Sequence, residues 1–391
     1  MNMTMKVALL TGGGDKPYSL GIAKALLDSG IKIEFIGNSE LENEKIFLNE
    51  SATYYNLRGD QSSEASIISK IFRVILYYFR LIKYAANTDT KLFHILWLNK
   101  FLVFDSTLLN IFYKLNGKKL VYTAHNVNID KRDGNDSILN RRTLKFLYNY
   151  VDHIFVHTKL MKDELTGQFG TPDAKVTVIP FGINSTVPNT ELNYRNARNL
   201  LNLSKGDIAL LFFGNIATYK GLETLIDALK QLVEEGHNVK LIIAGSIKGT
   251  GKYWECINSK ISSYNLGNKI IKRIEFIPDE EVEVYFKAAD ALMLPYKFIY
   301  QSGPLFLAYN FGLPAIATDV GSFKDDIVEG KTGFVSLKND GKGFADAITR
   351  FIYSSLYKER EISRQFIRTY AAKRYSWNSV AEKTVKIYEG I

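Results

Sequence analysis

Short apolar runs alternate with amphipathic segments along the whole chain. Near the start, VALLTGGG (Val7–Gly14) precedes a segment whose apolar residues have helical spacing and which ends at Gly30. The first half repeats this pattern with the runs IKIEFIG, KLFHILWL, KKLVYTAHN, HIFVHT and VTVIPFG. Apolar runs separated by helical segments are typical of parallel β-strands connected by helices. The pattern therefore predicts an α/β fold with a parallel sheet.

The alternation stops once and then resumes. A polar stretch, NSTVPNTELNYRNARN, follows Ile183 and is typical of an inter-domain linker. Beyond it come the runs IALLFFGN, VKLIIAGS, IIKRIEFIP, ADALMLPY and PAIATDVG, and the tail from about Trp377 predicts one amphipathic helix. We expect two tandem doubly wound, Rossmann-like domains, residues 1–185 and 186–374. Open α/β sheets bind ligands beyond the carboxyl ends of their strands, so we expect the ligand in a cleft between the two domains.

Composition supports a globular protein of two domains. The chain has 391 residues, of which 46% are hydrophobic and 23% charged. Its single cysteine, Cys256, excludes an internal disulfide and fits a reducing compartment. The first apolar run, Val7–Leu10, is too short for a signal peptide, and no run approaches the length of a membrane span. We therefore expect a cytoplasmic protein.

The positive charge is concentrated in one region. Residues 66–145 contain 14 Lys or Arg and five Asp, so the net charge of this segment is +9, the same as that of the whole chain. A basic region of this size predicts an acidic partner: phospholipid, lipid pyrophosphate or nucleotide. We expect no nucleic-acid partner, because no nucleic-acid-binding motif is present.

One segment of this basic region, Ile67–Ala86, is apolar and aromatic with cations on part of its surface. Two interpretations stay open. It is either a core helix with a basic edge or a helix lying on an anionic membrane surface. We favour the core helix, because apolar helix faces are usually buried. The alternative would place the protein peripherally on the inner face of the cell membrane.

The segment Pro295–Val335 predicts an anion site. A strand ending at Pro295 leads into a turn, Gln301-Ser302-Gly303, and the helix that follows begins near Pro304. Backbone N–H groups in a turn and at a helix N-terminus bind negative charge. Ser302 is equally suited to cap the helix, and the two roles are compatible.

Three other segments follow predicted strands. In FFGNIATYKG, Gly214 and Asn215 end a strand and Lys220 stands at a helix start, where its charge suits a diphosphate better than the helix macrodipole. Gly12, Gly13 and Gly14 let the backbone approach a ligand closely, although a tight turn alone would also explain them. His125 directly follows a strand, where it either binds a sugar hydroxyl, transfers a proton or is merely structural.

These segments together resemble the nucleotide-sugar glycosyltransferases of the GT-B fold, in particular glycosyltransferase family 4. Lys220 matches a lysine of the family pattern, whereas Asn215 stands where an arginine is usual. Ile299 and Leu307 stand where the family usually has glutamates. A subset of the family shares the Gln-Ser-Gly turn.

The resemblance implies a retaining hexosyltransferase that uses a nucleoside-diphosphate sugar as donor and no further cofactor. Because the sequence has no Asp-x-Asp motif, we expect that it needs no metal. The resemblance implies donor binding by Gly13, Gly14, Gly214, Asn215, Lys220, Gln301, Ser302, Gly303 and Pro304, with His125 and Lys220 as catalytic residues. The acceptor would be a glycan or a lipid-linked molecule of surface polysaccharide or glycolipid synthesis. It also implies that the terminal helix, residues 375–391, crosses back to the first domain. A catalytically inactive sugar-nucleotide-binding homologue and a GT-B sugar-nucleotide epimerase remain as alternatives.

Overall fold

The chain folds into two compact units, each built around one parallel β-sheet. The computed structural model describes residues 5–62, 65–128, 136–183 and 187–391. Unit 1 comprises Met1–Gly182 and Tyr375–Ile391, and unit 2 comprises Ile183–Arg374. The predicted boundary at 185/186 lies within residues 184–186, outside the described residues. The predicted α/β fold class with two parallel sheets is confirmed.

Unit 1 has a seven-stranded sheet in the order β3-β2-β1-β4-β5-β6-β7, with parallel pairs throughout. Its strands are β1 (Lys6–Leu10), β2 (Lys32–Gly37), β3 (Ala52–Asn56), β4 (Leu92–Ile95), β5 (Lys119–Ala124), β6 (His153–Val156) and β7 (Val176–Val178). The helices, numbered along the chain, are α1 (Lys16–Asp28), α2 (Ile67–Asn87), α3 (Leu102–Ser106), α4 (Leu108–Leu115), α5 (Ile138–Tyr150), α6 (Lys159–Phe169) and the terminal α16 (Trp377–Glu389).

The terminal helix α16 is part of the core of unit 1. It packs on α1, and the Trp377 ring lies so close to Gly21 and Gly182 that a Cβ at either glycine would meet it at 2.2–2.3 Å. At its other end, the Tyr388 hydroxyl lies 2.5 Å from Nδ1 of the buried His94. The sequence-distant C-terminus thus completes the hydrophobic core around β1 and β4.

Unit 2 has a six-stranded parallel sheet in the order β10-β9-β8-β11-β12-β13. Its strands are β8 (Ile208–Phe213), β9 (Val239–Ala244), β10 (Ile270–Arg273), β11 (Ala291–Leu294), β12 (Ala315–Ala317) and β13 (Gly333–Val335). Its helices are α7 (Tyr194–Leu200), α8 (Leu222–Glu234), α9 (Lys252–Ser263), α10 (Asp279–Ala288), α11 (Gly303–Asn310), α12 (Phe323–Asp326), α13 (Gly341–Tyr353), α14 (Ser355–Lys358) and α15 (Arg360–Arg374).

The polar stretch predicted as the inter-domain linker begins beside the boundary between the two units and belongs to unit 2. Its second half forms α7, and Arg198 in that helix pairs with the buried carboxylate of Asp290 at 3.3 Å. Upstream, Thr190 donates its N–H and its hydroxyl to Glu283 at 2.8 and 2.7 Å. Polar residues of this stretch thus satisfy buried partners of unit 2. Its first three residues, 184–186, lie outside the described residues.

Helix α2 only half agrees with the favoured prediction of a core helix. Its C-terminal half packs on the sheet through buried residues from Tyr77 to Ala85. Its N-terminal half leaves a row of large apolar side chains in solvent. None of the helices within the described ranges is both long and apolar enough to span a membrane.

Candidate functional site

The centre of the unit 2 sheet has the strand arrangement that creates a ligand crevice. Strands β8 and β11 are neighbours, and the chain continues from β8 towards β9 on one side and from β11 towards β12 on the other. Connections that leave in opposite directions open a crevice beyond the carboxyl ends of the two strands. Gly214 follows β8 and Pro295 follows β11, so two of the predicted segments meet there.

Lys220 lies buried in this crevice. Residues Thr218–Lys220 form a 3-10 turn, and Gly221, with φ of 63°, caps the start of α8. The Lys220 side chain is part of the interior, with only 6% of the residue exposed. Its Nζ lies 3.5 Å from the Phe213 carbonyl oxygen and 5.4 Å from the Tyr296 ring centroid. Lys220 is therefore not a surface lysine, and its charge acts where water screens it little.

Gly214 and Pro304 border the same point. A Cβ built on Gly214, whose φ is 92°, would lie 3.0 Å from Lys220 Nζ and 3.9 Å from Pro304 Cγ. The end of β8, the lysine turn and the start of α11 thus converge. Gly303 and Pro304 are the first two residues of α11. Proline has no N–H and the Leu305 N–H donates to the Ser302 carbonyl oxygen at 3.1 Å, so the Gly303 N–H is the backbone donor that this helix start can offer to a ligand.

Ser302 occupies the N-cap position of α11 but does not cap it through its side chain. Among the described residues, its buried Oγ and Gln301 Oε1 make no hydrogen bond of good geometry; the Tyr296 hydroxyl interacts with Ser302 but likewise makes no well-formed bond. Burial raises the pKa of Tyr296 well above its usual value, so this phenol stays protonated. Polar atoms left unsatisfied in the interior are costly, and a cluster of them beside a buried lysine is the arrangement expected of a site awaiting a polar ligand.

The positions that depart from the family pattern have other partners. Asn215 accepts a hydrogen bond from the Ser246 hydroxyl at 2.9 Å, which ties the ends of β8 and β9 together. Ile299 and Leu307 are buried apolar side chains with 8% and 7% exposure. Neither offers a polar group to a ligand.

The sequence did not single out Glu223, which lies in the first turn of α8 close to Lys220. Its carboxylate accepts a hydrogen bond from the Tyr253 hydroxyl and pairs with Lys297, which follows β11. Burial raises the pKa of Glu223, but the bonds from Lys297 and Tyr253 outweigh it and hold the pKa below its usual value. Glu223 therefore links the loop after β11 to the helix that follows Lys220. The only feature of the sequence that could have indicated this role is the position of Glu223 three residues after Lys220.

Unit 1 has an equivalent crevice between β1 and β4. The turn Gly12–Gly14 follows β1 and packs against the chain after β4. A Cβ at Gly12 would lie 2.2 Å from the Trp97 carbonyl oxygen, and one at Gly14 would lie 1.9 Å from the Trp97 ring. A Cβ at Gly13 would instead meet the Arg58 guanidinium at 2.7 Å. The glycines are required by close packing, and Gly13 lies directly beneath a cation.

That cation borders a small basic cavity of about 40 Å³ in unit 1. Arg58 is held over the Tyr77 ring at 4.7 Å, and its Nε is buried without a hydrogen-bond partner among the described residues. Lys70, Arg73 and Lys100 also line the cavity, and no carboxylate does. Four cations around one cavity favour an anionic ligand.

His125 lies after β5 in an aromatic cluster. Its ring stacks on Trp97 with centroids 4.0 Å apart, and its Nδ1 lies 3.1 Å from Nε2 of His157. Burial lowers the pKa of His125 well below its usual value and that of His157 to about 4. His125 is therefore neutral at physiological pH, which suits hydrogen bonding better than donation of a proton. His157, expected to be structural, is its direct partner.

The described residues contain no group of three or more His, Cys, Asp or Glu side chains suited to a metal ion. The predicted donor-binding residues Gly214, Lys220, Gln301, Ser302, Gly303 and Pro304 all belong to the unit 2 crevice or its rim, whereas Gly13, Gly14 and His125 belong to unit 1. Their roles in binding remain predictions.

A parallel sheet with a ligand crevice in each unit defines a two-domain α/β protein of the GT-B class. The family described as Glycosyltransferase Family 4 matches residues 13–187, and the family described as Glycosyl transferases group 1 matches residues 193–374. The chain therefore belongs to the family 4-like glycosyltransferases of the GT-B fold.

Curated relatives agree with this family. An uncharacterized glycosyltransferase of Methanocaldococcus jannaschii is 24% identical over 69% of this chain and 68% of its own length. A D-inositol 3-phosphate glycosyltransferase of Corynebacterium urealyticum is 24% identical over 61% of this chain and 57% of its own length. The chain thus matches roughly three fifths to two thirds of the length of these relatives.

Solved structures share the fold over nearly the whole chain. The sucrose-phosphate synthase of Thermosynechococcus elongatus superposes with a TM-score of 0.76 at 18% identity, covering 99% of this chain and 98% of that one. HepE of Anabaena, solved with UDP and glucose, has a TM-score of 0.73 at 16% identity and covers 99% and 100% of the two chains.

Proposed function

We propose that the protein transfers a sugar from a nucleoside-diphosphate sugar to a glycan or lipid-linked acceptor. The observation on which this rests is the unit 2 crevice, where the buried Lys220 lies beside the unsatisfied Ser302 hydroxyl at the start of α11. Family membership supports transfer chemistry, and HepE, a structural neighbour, binds UDP and glucose. We further propose that the transfer retains the anomeric configuration, that the sugar is a hexose and that no metal takes part.

In this proposal the diphosphate occupies the crevice. The Lys220 ammonium neutralises its charge, while the Ser302 hydroxyl and the Gly303 N–H donate hydrogen bonds. Negative charge grows on the diphosphate as the bond to the sugar breaks. Donors fixed in advance stabilise that charge without reorganisation, which lowers the barrier.

We assign the acceptor to unit 1. Its basic cavity suits an acceptor with a phosphate or carboxylate, and Arg58 joins the cavity to the Gly12–Gly14 turn. The neutral His125 suits a hydrogen bond to a sugar hydroxyl. A lipid-linked acceptor of surface polysaccharide or glycolipid synthesis meets these requirements, and a cytoplasmic enzyme would encounter it at the membrane.

The buried apolar residues Ile299 and Leu307 favour one alternative, a sugar-nucleotide-binding homologue without activity. The test is to incubate the protein with a panel of sugar nucleotides and candidate acceptors and to follow release of nucleoside diphosphate. Acceptor-dependent release supports transfer. Binding without release supports the inactive homologue, whereas interconversion of the sugar nucleotide would support an epimerase. Neither binding nor turnover across the panel would reject the proposed function.

A further inference from the structure

The first 13 residues of α2 present an apolar stripe to solvent. Six large side chains on it are between 56% and 81% exposed, and they follow the spacing of one helix face: Ile67, Ile68, Ile71, Phe72, Ile75 and Phe79. Monomeric soluble proteins rarely expose so large a contiguous apolar surface. We therefore expect another molecule to cover this stripe.

The stripe cannot turn inward, because the opposite face of α2 is anchored. The Tyr77 hydroxyl donates to Asn99 at 2.6 Å, and the Tyr78 hydroxyl donates to the buried Asp105 at 2.9 Å. Further along, the Tyr84 hydroxyl donates to the buried Glu34 at 2.5 Å. Rotating α2 to bury the stripe would break all three bonds and leave two carboxylates without these donors.

The charged residues of α2 itself all have one sign, although Arg73 pairs with Asp60 of the preceding loop at 3.8 Å. Helix α2 contains Lys70, Arg73, Arg80 and Lys83 and no acidic residue. The apolar surface continues beyond α2, since the Tyr78 ring stacks on Phe101 at 5.6 Å and Phe101 is itself 55% exposed. Apolar side chains flanked by cations complement a bilayer with anionic headgroups, which accepts both at once. A second copy of the chain would instead bring like charges together.

We propose that unit 1 docks on an anionic phospholipid membrane through the apolar stripe of α2, with the flanking cations on lipid phosphates. The proposal deepens the proposed function, because it places the basic cavity, which α2 also lines through Lys70 and Arg73, at the lipid surface. The proposal rests on the proposed function only where it gives this location a role in acceptor binding. Vesicle binding itself requires no turnover.

The test is co-sedimentation of the full chain with vesicles of phosphatidylcholine, with and without phosphatidylglycerol. We expect binding to the anionic vesicles that weakens as salt rises. Phe72→Ser should lower the partition coefficient roughly tenfold, because an inserted phenylalanine side chain is lost from the bilayer. The matched control is Phe276→Ser in unit 2, where the phenylalanine is 74% exposed, and it should bind as the wild type does.

A charge variant separates the two contributions. Arg80→Gln combined with Lys83→Gln should weaken binding to anionic vesicles and flatten its salt dependence. Nucleoside-diphosphate binding should be unchanged in every variant, which confirms folding and keeps this test separate from the proposed function. The proposal is overturned if the wild type ignores anionic vesicles or if Phe72→Ser binds them as the wild type does. Self-association without lipid that Phe72→Ser abolishes would identify a second copy as the occupant and equally overturn it.

Discussion

The hydroxyl of Ser302 allows a structural role, capping of a helix, to be distinguished from a role in ligand binding. A serine at an N-cap normally accepts a hydrogen bond from the helix, as Ser376 does from the Ser379 N–H at 3.2 Å. Ser302 stands at the same kind of position without that bond, although it is buried. Its hydroxyl is thus maintained at a cost to the free protein, which fits a ligand contact.

Replacing this serine therefore gives a signature that differs from that of a helix cap. Ser302→Ala should leave the free energy of unfolding unchanged or raise it, because an unsatisfied buried hydroxyl costs about 1–3 kcal/mol. It should also weaken nucleoside-diphosphate binding several-fold. Ser376→Ala, the matched control, should lower the free energy of unfolding by about 1 kcal/mol. Urea unfolding and calorimetric titration measure the two effects. A destabilised Ser302→Ala with unchanged affinity would make Ser302 an ordinary structural residue.

The buried histidines of unit 1 make stability depend on pH. His157 has a folded pKa of about 4, below the value of about 6.5 expected in the unfolded chain. Between these values the unfolded state binds more protons, so the free energy of unfolding falls as pH drops from 6.5 to 4. His157→Gln should remove up to about 3 kcal/mol of that loss. The check is the urea midpoint measured across this range. Parallel pH curves for the wild type and the variant would show that His157 does not titrate in this way.

The contact between α1 and α16 is tested by two glycines that both lie in helices. Gly21→Ala should destabilise unit 1 by about 1–3 kcal/mol, because its Cβ would lie 2.2 Å from the Trp377 ring. Gly167, in α6, has nothing within 4 Å of its Cβ position. Gly167→Ala should therefore stabilise by about 0.5–1 kcal/mol through its higher helix propensity.

The measurement is urea unfolding followed by tryptophan fluorescence, in a background in which Trp254 of unit 2 is replaced by phenylalanine. Trp377→Ala should relieve the clash, so Gly21→Ala should cost less in that background than in the wild type. Equal effects of the two glycine substitutions would contradict the packing of α16 on α1.

The helices and strands differ in how well they could be predicted from their sequence. The long apolar runs gave the central strands of both sheets, since a strand buried on both faces is continuously apolar. The edge strand β3, ATYYN, is only half buried, and β13 has three residues, so neither produced a pattern strong enough to predict. For α2 the periodicity indicated an apolar face but could not show that no part of the fold covers it. That depends on tertiary packing.

The site was predictable where it followed from strand ends. Lys220 and the Gln301–Pro304 turn were chosen because each follows a strand, and the sheet order places those two strands side by side. Glu223 was missed, because its significance comes from Lys297 and Tyr253, which are distant in sequence. The burial of Lys220 could not be predicted from the sequence either, since a lysine at a helix start is ordinarily exposed.

For the protein as a whole, two units with one crevice each predict separable donor and acceptor binding. Substitutions in the unit 2 crevice should change affinity for nucleoside diphosphate. Substitutions in the basic cavity of unit 1 should change the acceptor KM and leave that affinity unchanged. The central claim is the first of these, that unit 2 binds the donor diphosphate around Lys220.

The most direct test is calorimetric titration of the full chain with a panel of nucleoside diphosphates. We expect the wild type to bind at least one of them. Lys220→Ala should weaken that binding roughly 10- to 100-fold, because a charged hydrogen bond is worth about 1.5–3 kcal/mol. Lys220→Met, which keeps the volume of the buried side chain, should do the same and guards against misfolding. Lys230→Ala, on the exposed side of α8 where Lys230 pairs with Glu234 at 3.6 Å, should have no effect. Unchanged affinity in the folded Lys220 variants would contradict the account.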